Sequence, residues 1–130
     1  MTTAVVCTSL LGLLLFVMGF FVSMMRGKTE TVGGVNPDPA DPLYKAVRAH
    51  GNTAEYAPMV AVLILYLGTQ APAIWVLWVM GIVTACRYSI AIGILMSPTL
   101  DNPQPLRFIG ALGTYLGGVA LVVAAMLTVM

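Results

Sequence analysis

Arg48, Asn52 and Glu55 are spaced four and then three residues apart. On a helix turning about 100° per residue, Asn52 lies about 40° from Arg48 and Glu55 about 20° on its other side, with Tyr56 flanking at about 80°. His50 falls roughly opposite, about 200° round. Each member of this stripe has a distinct chemistry. An arginine clamps a carboxylate bidentately, a glutamate takes an ammonium, and an asparagine offers a donor and an acceptor to a peptide. Two more arginines, Arg87 and Arg107, lie in or at the edge of apolar runs further along the chain. Charges inside such runs are costly and mark functional sites. The three arginines outnumber the one glutamate, so the set carries excess positive charge and suits an anion. The competing structural reading is an internal salt bridge, with Glu55 neutralising an arginine of a neighbouring helix and Asn52 tying two helices together.

The elements that must position these residues are transmembrane helices. The chain has 130 residues, 59% of them hydrophobic and 8% charged, with a mean hydropathy of +0.94. A soluble domain carries about 25% charged residues. Lipid rather than water must therefore cover most of the exterior. A span needs roughly 20 apolar residues. Four runs qualify, at about 4–25, 44–68, 73–96 and 106–129. The first is long enough to span, has no Lys or Arg before it and no small-x-small pattern after it, so it reads as a span rather than a cleaved leader. Between the runs stand a loop from Arg26 to Pro42 with paired glycines and three prolines, a short turn at Gln70 to Pro72, and a loop from Ser97 to Pro105 with three more prolines. The expected fold is all-α, a four-helix up-down antiparallel bundle integral to the membrane, in one domain over residues 1–130.

All six Lys and Arg fall in or beside the first and third loops. The positive-inside rule makes those loops cytoplasmic and puts both termini on the opposite side. Arg48, Glu55, Arg87 and Arg107 then lie toward one leaflet on three different helices, where they can converge. The net charge of +1 gives no field for nucleic acid. One His and no Cys-x-x-Cys leave no metal-ligand spacing.

Other features bear on packing. Pro58 follows Ala54 by one turn and should kink the second helix just beyond Glu55, which either is tolerated or opens the charged half of the bundle. Gly113 and Gly117 form a small-xxx-small pair, expected at a close helix seam within or between subunits. Trp75 and Trp78 read as interface anchors near the second turn. Cys7 and Cys86 read as unbridged apolar packing residues.

The run Arg48-Ala49-His50-Gly51-Asn52-Thr53-Ala54-Glu55-Tyr56-Ala57-Pro58 resembles the R-x-x-x-N-x-x-E-[YN]-x-P signature of the MAPEG family, the membrane-associated proteins in eicosanoid and glutathione metabolism. It is most similar to the small bacterial branch of microsomal glutathione transferase-like members, which places the chain in a bacterial inner membrane. The resemblance extends over the chain in its spans, loop lengths and charge placement, more weakly at Arg87 and at Pro105-Leu106-Arg107. It implies a homotrimer that binds glutathione as co-substrate and transfers it to a hydrophobic small molecule, or reduces a peroxide with it. The implied glutathione contacts are Arg48, Asn52, Glu55 and Tyr56, with His50 contributing from a neighbouring subunit and Arg87 and Tyr88 from the third helix. Arg107 resembles the arginine placed near the thiol, where a cation raises the thiolate fraction; a snorkelling interfacial arginine is the other reading. Family members often follow the third-helix arginine with a His or Tyr. Here Ile90 and Ile92 stand beyond Tyr88, which supports binding more than any one reaction. A non-catalytic protein of the same fold is the alternative. A small four-helix exporter is disfavoured, because such proteins carry an acidic residue in the first span and residues 4–25 have none.

Overall fold

The computed structural model describes residues 1–130. It consists of four α-helices, α1 (Thr2–Lys28), α2 (Pro42–Thr69), α3 (Ile74–Met96) and α4 (Pro105–Leu127), packed as an up-down antiparallel bundle. α1, α3 and α4 are long and apolar enough to cross a membrane. α2 has 28 residues, about 42 Å at 1.5 Å per residue. Lys45, Arg48 and Glu55 occupy its first half, and an apolar run from Met59 to Leu67 its second. The outward faces are apolar: Phe16 and Phe20 on α1, and Phe108, Leu116 and Val119 on α4, stand exposed. An apolar surface on that scale is suited to hydrocarbon.

The helix starts carry local stop-and-start chemistry. Asp41 caps α2, its Oδ1 accepting from the Tyr44 amide at 2.8 Å, with Pro42 at the first position. Gln104 caps α4 in the same way, its Oε1 accepting from the Arg107 amide at 2.8 Å, with Pro105 following. Such caps satisfy donors that have no partner inside the helix. At the other end of a helix, α1 continues one turn past the Met25 boundary expected from hydropathy. Arg26 and Lys28 occupy that last turn, where cations complement the negative end of the helix dipole. Arg26 Nη1 closes it by donating to the Val32 carbonyl at 2.7 Å.

The first and third loops meet at one end of the bundle. The Leu100 amide donates to the Pro39 carbonyl at 3.1 Å, and Lys45 Nζ to the Ser97 carbonyl at 3.1 Å. The core forms two clusters. One, around Leu11, Ile64, Met80, Val83 and Leu121, fills the half near the short second turn. The other, around Leu14, Met18, Ala49, Ile90 and Ile94, fills the half near the two joined loops. Both cysteines are free thiols.

Gly110, Gly113 and Gly117 of α4 form a seam inside the chain. A Cβ at Gly110 would stand 2.7 Å from Ile90 Cγ1 and 2.9 Å from the Cys86 carbonyl. One at Gly113 would overlap Cys86 Sγ, and one at Gly117 would overlap Val83 Cγ2. α4 therefore lies against α3 at near-backbone distance, as small residues allow in a membrane.

Candidate functional site

Close packing of α4 on α3 leaves a cavity of ≈ 720 Å³ where α2 meets the same pair. It reaches from the loop residues Leu100 and Pro103 down to Tyr56 and Tyr115. Arg48 on α2, Arg87 on α3 and Arg107 on α4 all line it, and no carboxylate does. Its size is that of a site for a small organic ligand. Ile90, Ile94 and Phe108 make the wall between the arginines apolar.

Arg87 is the most constrained of the three. It is only 1% exposed. Its Nη2 donates to both the main-chain carbonyl of Asn52, at 2.8 Å, and the side-chain Oδ1, at 2.7 Å. Its guanidinium carbon lies 5.1 Å from the centre of the Tyr56 ring, a cation–π distance. Its Nε is buried without a hydrogen-bond partner. The salt bridge expected as the structural alternative, Glu55 with an arginine of a neighbouring helix, is not what binds Arg87. Neutral groups hold it, so its charge remains available to an anion. A buried arginine left in that condition is expensive unless a ligand completes it.

Arg107 sits in the first turn of α4 and is half-buried. Its Nη1 donates to the carbonyls of Leu100, at 3.1 Å, and Asn102, at 3.4 Å. These bonds fold the guanidinium back over the third loop, at the mouth of the cavity. Gly93 on α3 permits the approach, since a Cβ there would stand 2.9 Å from the Arg107 amide nitrogen, from Arg107 Cγ and from Gln104 Oε1. Arg48 is exposed at the same end, free to turn toward a ligand.

At the deep end Tyr56 donates its hydroxyl to that of Tyr115 at 3.5 Å. The two rings are tilted by 54° with centroids 5.8 Å apart. Tyr115, Gln104 and Gly93 were not singled out from sequence. For Tyr115 a signal existed: it stands at i+8 from Arg107 through Ala111, on one i±4 ridge of α4, and it is a phenol among apolar neighbours.

Three of the candidate residues lie elsewhere. Glu55 is exposed and does not line the cavity. His50 packs on α1, where its Nε2 would be 3.3 Å from a Cβ at Gly19. Tyr88 also turns to α1, donating to the Leu10 carbonyl at 2.8 Å. Within one chain the structure thus brings together Arg48, Asn52, Tyr56, Arg87 and Arg107, and leaves His50, Glu55 and Tyr88 outside.

A four-helix bundle with an apolar exterior defines an integral membrane protein, here with an arginine-lined cavity toward one end. The MAPEG family model matches residues 4–127, and the chain belongs to that family, whose members act in glutathione and eicosanoid metabolism. No curated protein and no solved structure matches the chain.

Proposed function

We propose that this protein binds glutathione in the arginine-lined cavity and uses it, as a transferase or peroxidase, on lipophilic electrophiles that enter from the bilayer. The observation that carries the reading is the convergence of Arg48, Arg87 and Arg107 on one cavity without a carboxylate among its lining residues. Glutathione has two carboxylates, an ammonium and a thiol. Arg48 and Arg87 supply cationic donors for carboxylates. Asn52 already spends its Oδ1 on Arg87 and keeps its amide donors for the ligand. Arg107 stands nearest the loop end and supplies the positive charge that lowers a thiol pKa from about 8.5 toward neutrality. The thiolate is the nucleophile in either reaction. In a homotrimer His50, and the exposed Glu55, complete the ligand set of a cavity at the subunit boundary, while Tyr88 stays bonded to the Leu10 carbonyl. The protein sits in a bacterial inner membrane with the first and third loops in the cytoplasm.

The test is calorimetric titration of the detergent-solubilised protein with glutathione, beside Arg48→Ala and Glu55→Ala. Binding by the wild type that both variants lose is the expected result. No binding by a folded wild-type protein overturns the reading. A second reading, a binding protein without turnover, is favoured by one observation: Ile90 and Ile94 occupy the α3 wall of the cavity and cannot move a proton. Ultraviolet difference absorbance on glutathione addition separates the two. Thiolate formation supports an enzyme, and binding without it supports the second reading.

A further inference from the structure

The deep end of the cavity holds a feature that anion binding does not use. Tyr56 and Tyr115 meet there by their hydroxyls, Tyr115 standing eight residues beyond Arg107 on α4, a main-chain rise of about 12 Å at 1.5 Å per residue. In that contact Tyr56 is the donor and Tyr115 the acceptor. The Tyr115 proton is therefore uncommitted. Tyr115 is half open, at 53% exposed, and lines the cavity along with Phe108, Ile109 and Ala111. The ring of Tyr56, whose hydroxyl donates to it, lies 5.1 Å from the Arg87 guanidinium carbon. The result is one uncommitted O–H donor on the wall of a partly apolar cavity, backed by a second hydroxyl and a cation. At 3.5 Å the bond between the hydroxyls is at the long limit, and such bonds often tighten only when a ligand completes the site.

We infer that Tyr115 sets the electrophile specificity of this site, by donating a hydrogen bond from its hydroxyl to the carbonyl oxygen of a lipophilic α,β-unsaturated aldehyde or ketone. The inference rests on the glutathione reading above. As the thiolate sulfur bonds to the β-carbon, the carbon–carbon π pair moves into the conjugated system and negative charge collects on the carbonyl oxygen. The Tyr115 hydroxyl hydrogen-bonds to that oxygen. Water then delivers a proton to the α-carbon, equal to the proton that glutathione lost on forming the thiolate, so the product is the neutral addition product. A fixed donor aimed at a developing oxyanion in apolar surroundings is among the strongest rate devices available to a protein. A substrate whose reacting centre bears no oxygen gains nothing from it.

The experiment compares kcat/KM for a long-chain 2-alkenal and for benzyl chloride in wild type and in Tyr115→Phe, with glutathione affinity measured by calorimetry on both proteins. Benzyl chloride reacts by displacement, its charge leaving on chloride. The expected result is a fall of about tenfold or more in the alkenal-to-benzyl chloride ratio, carried by kcat for the alkenal, with glutathione affinity held within about twofold. An unchanged ratio overturns the inference, whether both activities persist or both fall together, because Tyr115 would then only fill space. If wild type binds glutathione and turns over benzyl chloride but not the alkenal, the inference fails and the glutathione reading stands. If wild type binds no glutathione, both fail.

Discussion

Arg87 on α3 gives two hydrogen bonds from a single nitrogen to a single residue of α2: its Nη2 reaches the Asn52 carbonyl at 2.8 Å and the Asn52 Oδ1 at 2.7 Å. The main-chain carbonyl can accept because its oxygen carries two lone pairs, and the amide oxygen adds a second acceptor without adding a charge. A buried guanidinium is thus fixed between two helices by neutral acceptors.

Two substitutions at Asn52 separate those effects. Asn52→Leu removes one acceptor from a buried cation and should cost about 2 kcal/mol, read as a lower melting temperature of the detergent-solubilised protein. Asn52→Asp restores an acceptor but pairs the arginine with a carboxylate. It should keep the melting temperature closer to wild type while weakening glutathione binding about tenfold, or roughly 1.4 kcal/mol. Equal glutathione affinity in Asn52→Asp and wild type would mean that Arg87 is structural only.

The start of α4 depends on Gly93. Alanine at this position places its Cβ 2.9 Å from the Arg107 amide nitrogen and from Gln104 Oε1, and neither the main chain nor its cap can yield freely. The first turn of α4 must shift, at a cost of about 1–3 kcal/mol. Arg107 shifts with it. Thiolate absorbance on glutathione addition should fall in Gly93→Ala, and wild-type absorbance in that variant would show that Arg107 does not act on the thiol.

The α3–α4 seam gives a purely structural prediction. Gly117→Val would drive a side chain into Val83, whereas Gly118, one position on, has open space around its Cα. Gly117→Val should lower thermal stability by about 1–3 kcal/mol. Gly118→Ala should match or slightly exceed wild type, since alanine is the better helix residue by up to about 1 kcal/mol. Similar melting temperatures for these two variants would argue against the seam.

Arg107 tests charge against geometry. Arg107→Lys keeps a cation at the cavity mouth, though it loses the fork that reaches both Leu100 and Asn102. Arg107→Leu loses both. Glutathione thiolate should persist in part with lysine and vanish with leucine, while calorimetric binding survives in each through Arg48 and Arg87. Loss of binding in the lysine variant would assign Arg107 to anchoring the third loop.

The four helices were legible in the chain itself, and so were their ends apart from the last turn of α1. Apolar runs longer than a bilayer is thick can only be helices when every main-chain polar group needs an internal partner, and the prolines at 42 and 105 mark the starts of α2 and α4. The phase of Arg48 and Asn52 was legible for the same local reason, because 3.6 residues per turn fixes angles within one helix. Tertiary structure decided the rest. Asn52, not Glu55, holds Arg87; Tyr115 joins Tyr56; His50 and Tyr88 turn to α1; and Gly110, Gly113 and Gly117 face α3. Each of these depends on how far a helix is rotated about its own axis. In a soluble protein the polar face would reveal that rotation. In this chain lipid-facing and core-facing residues are both apolar, so the sequence carries almost no record of it, and only packing against the neighbouring helices sets it.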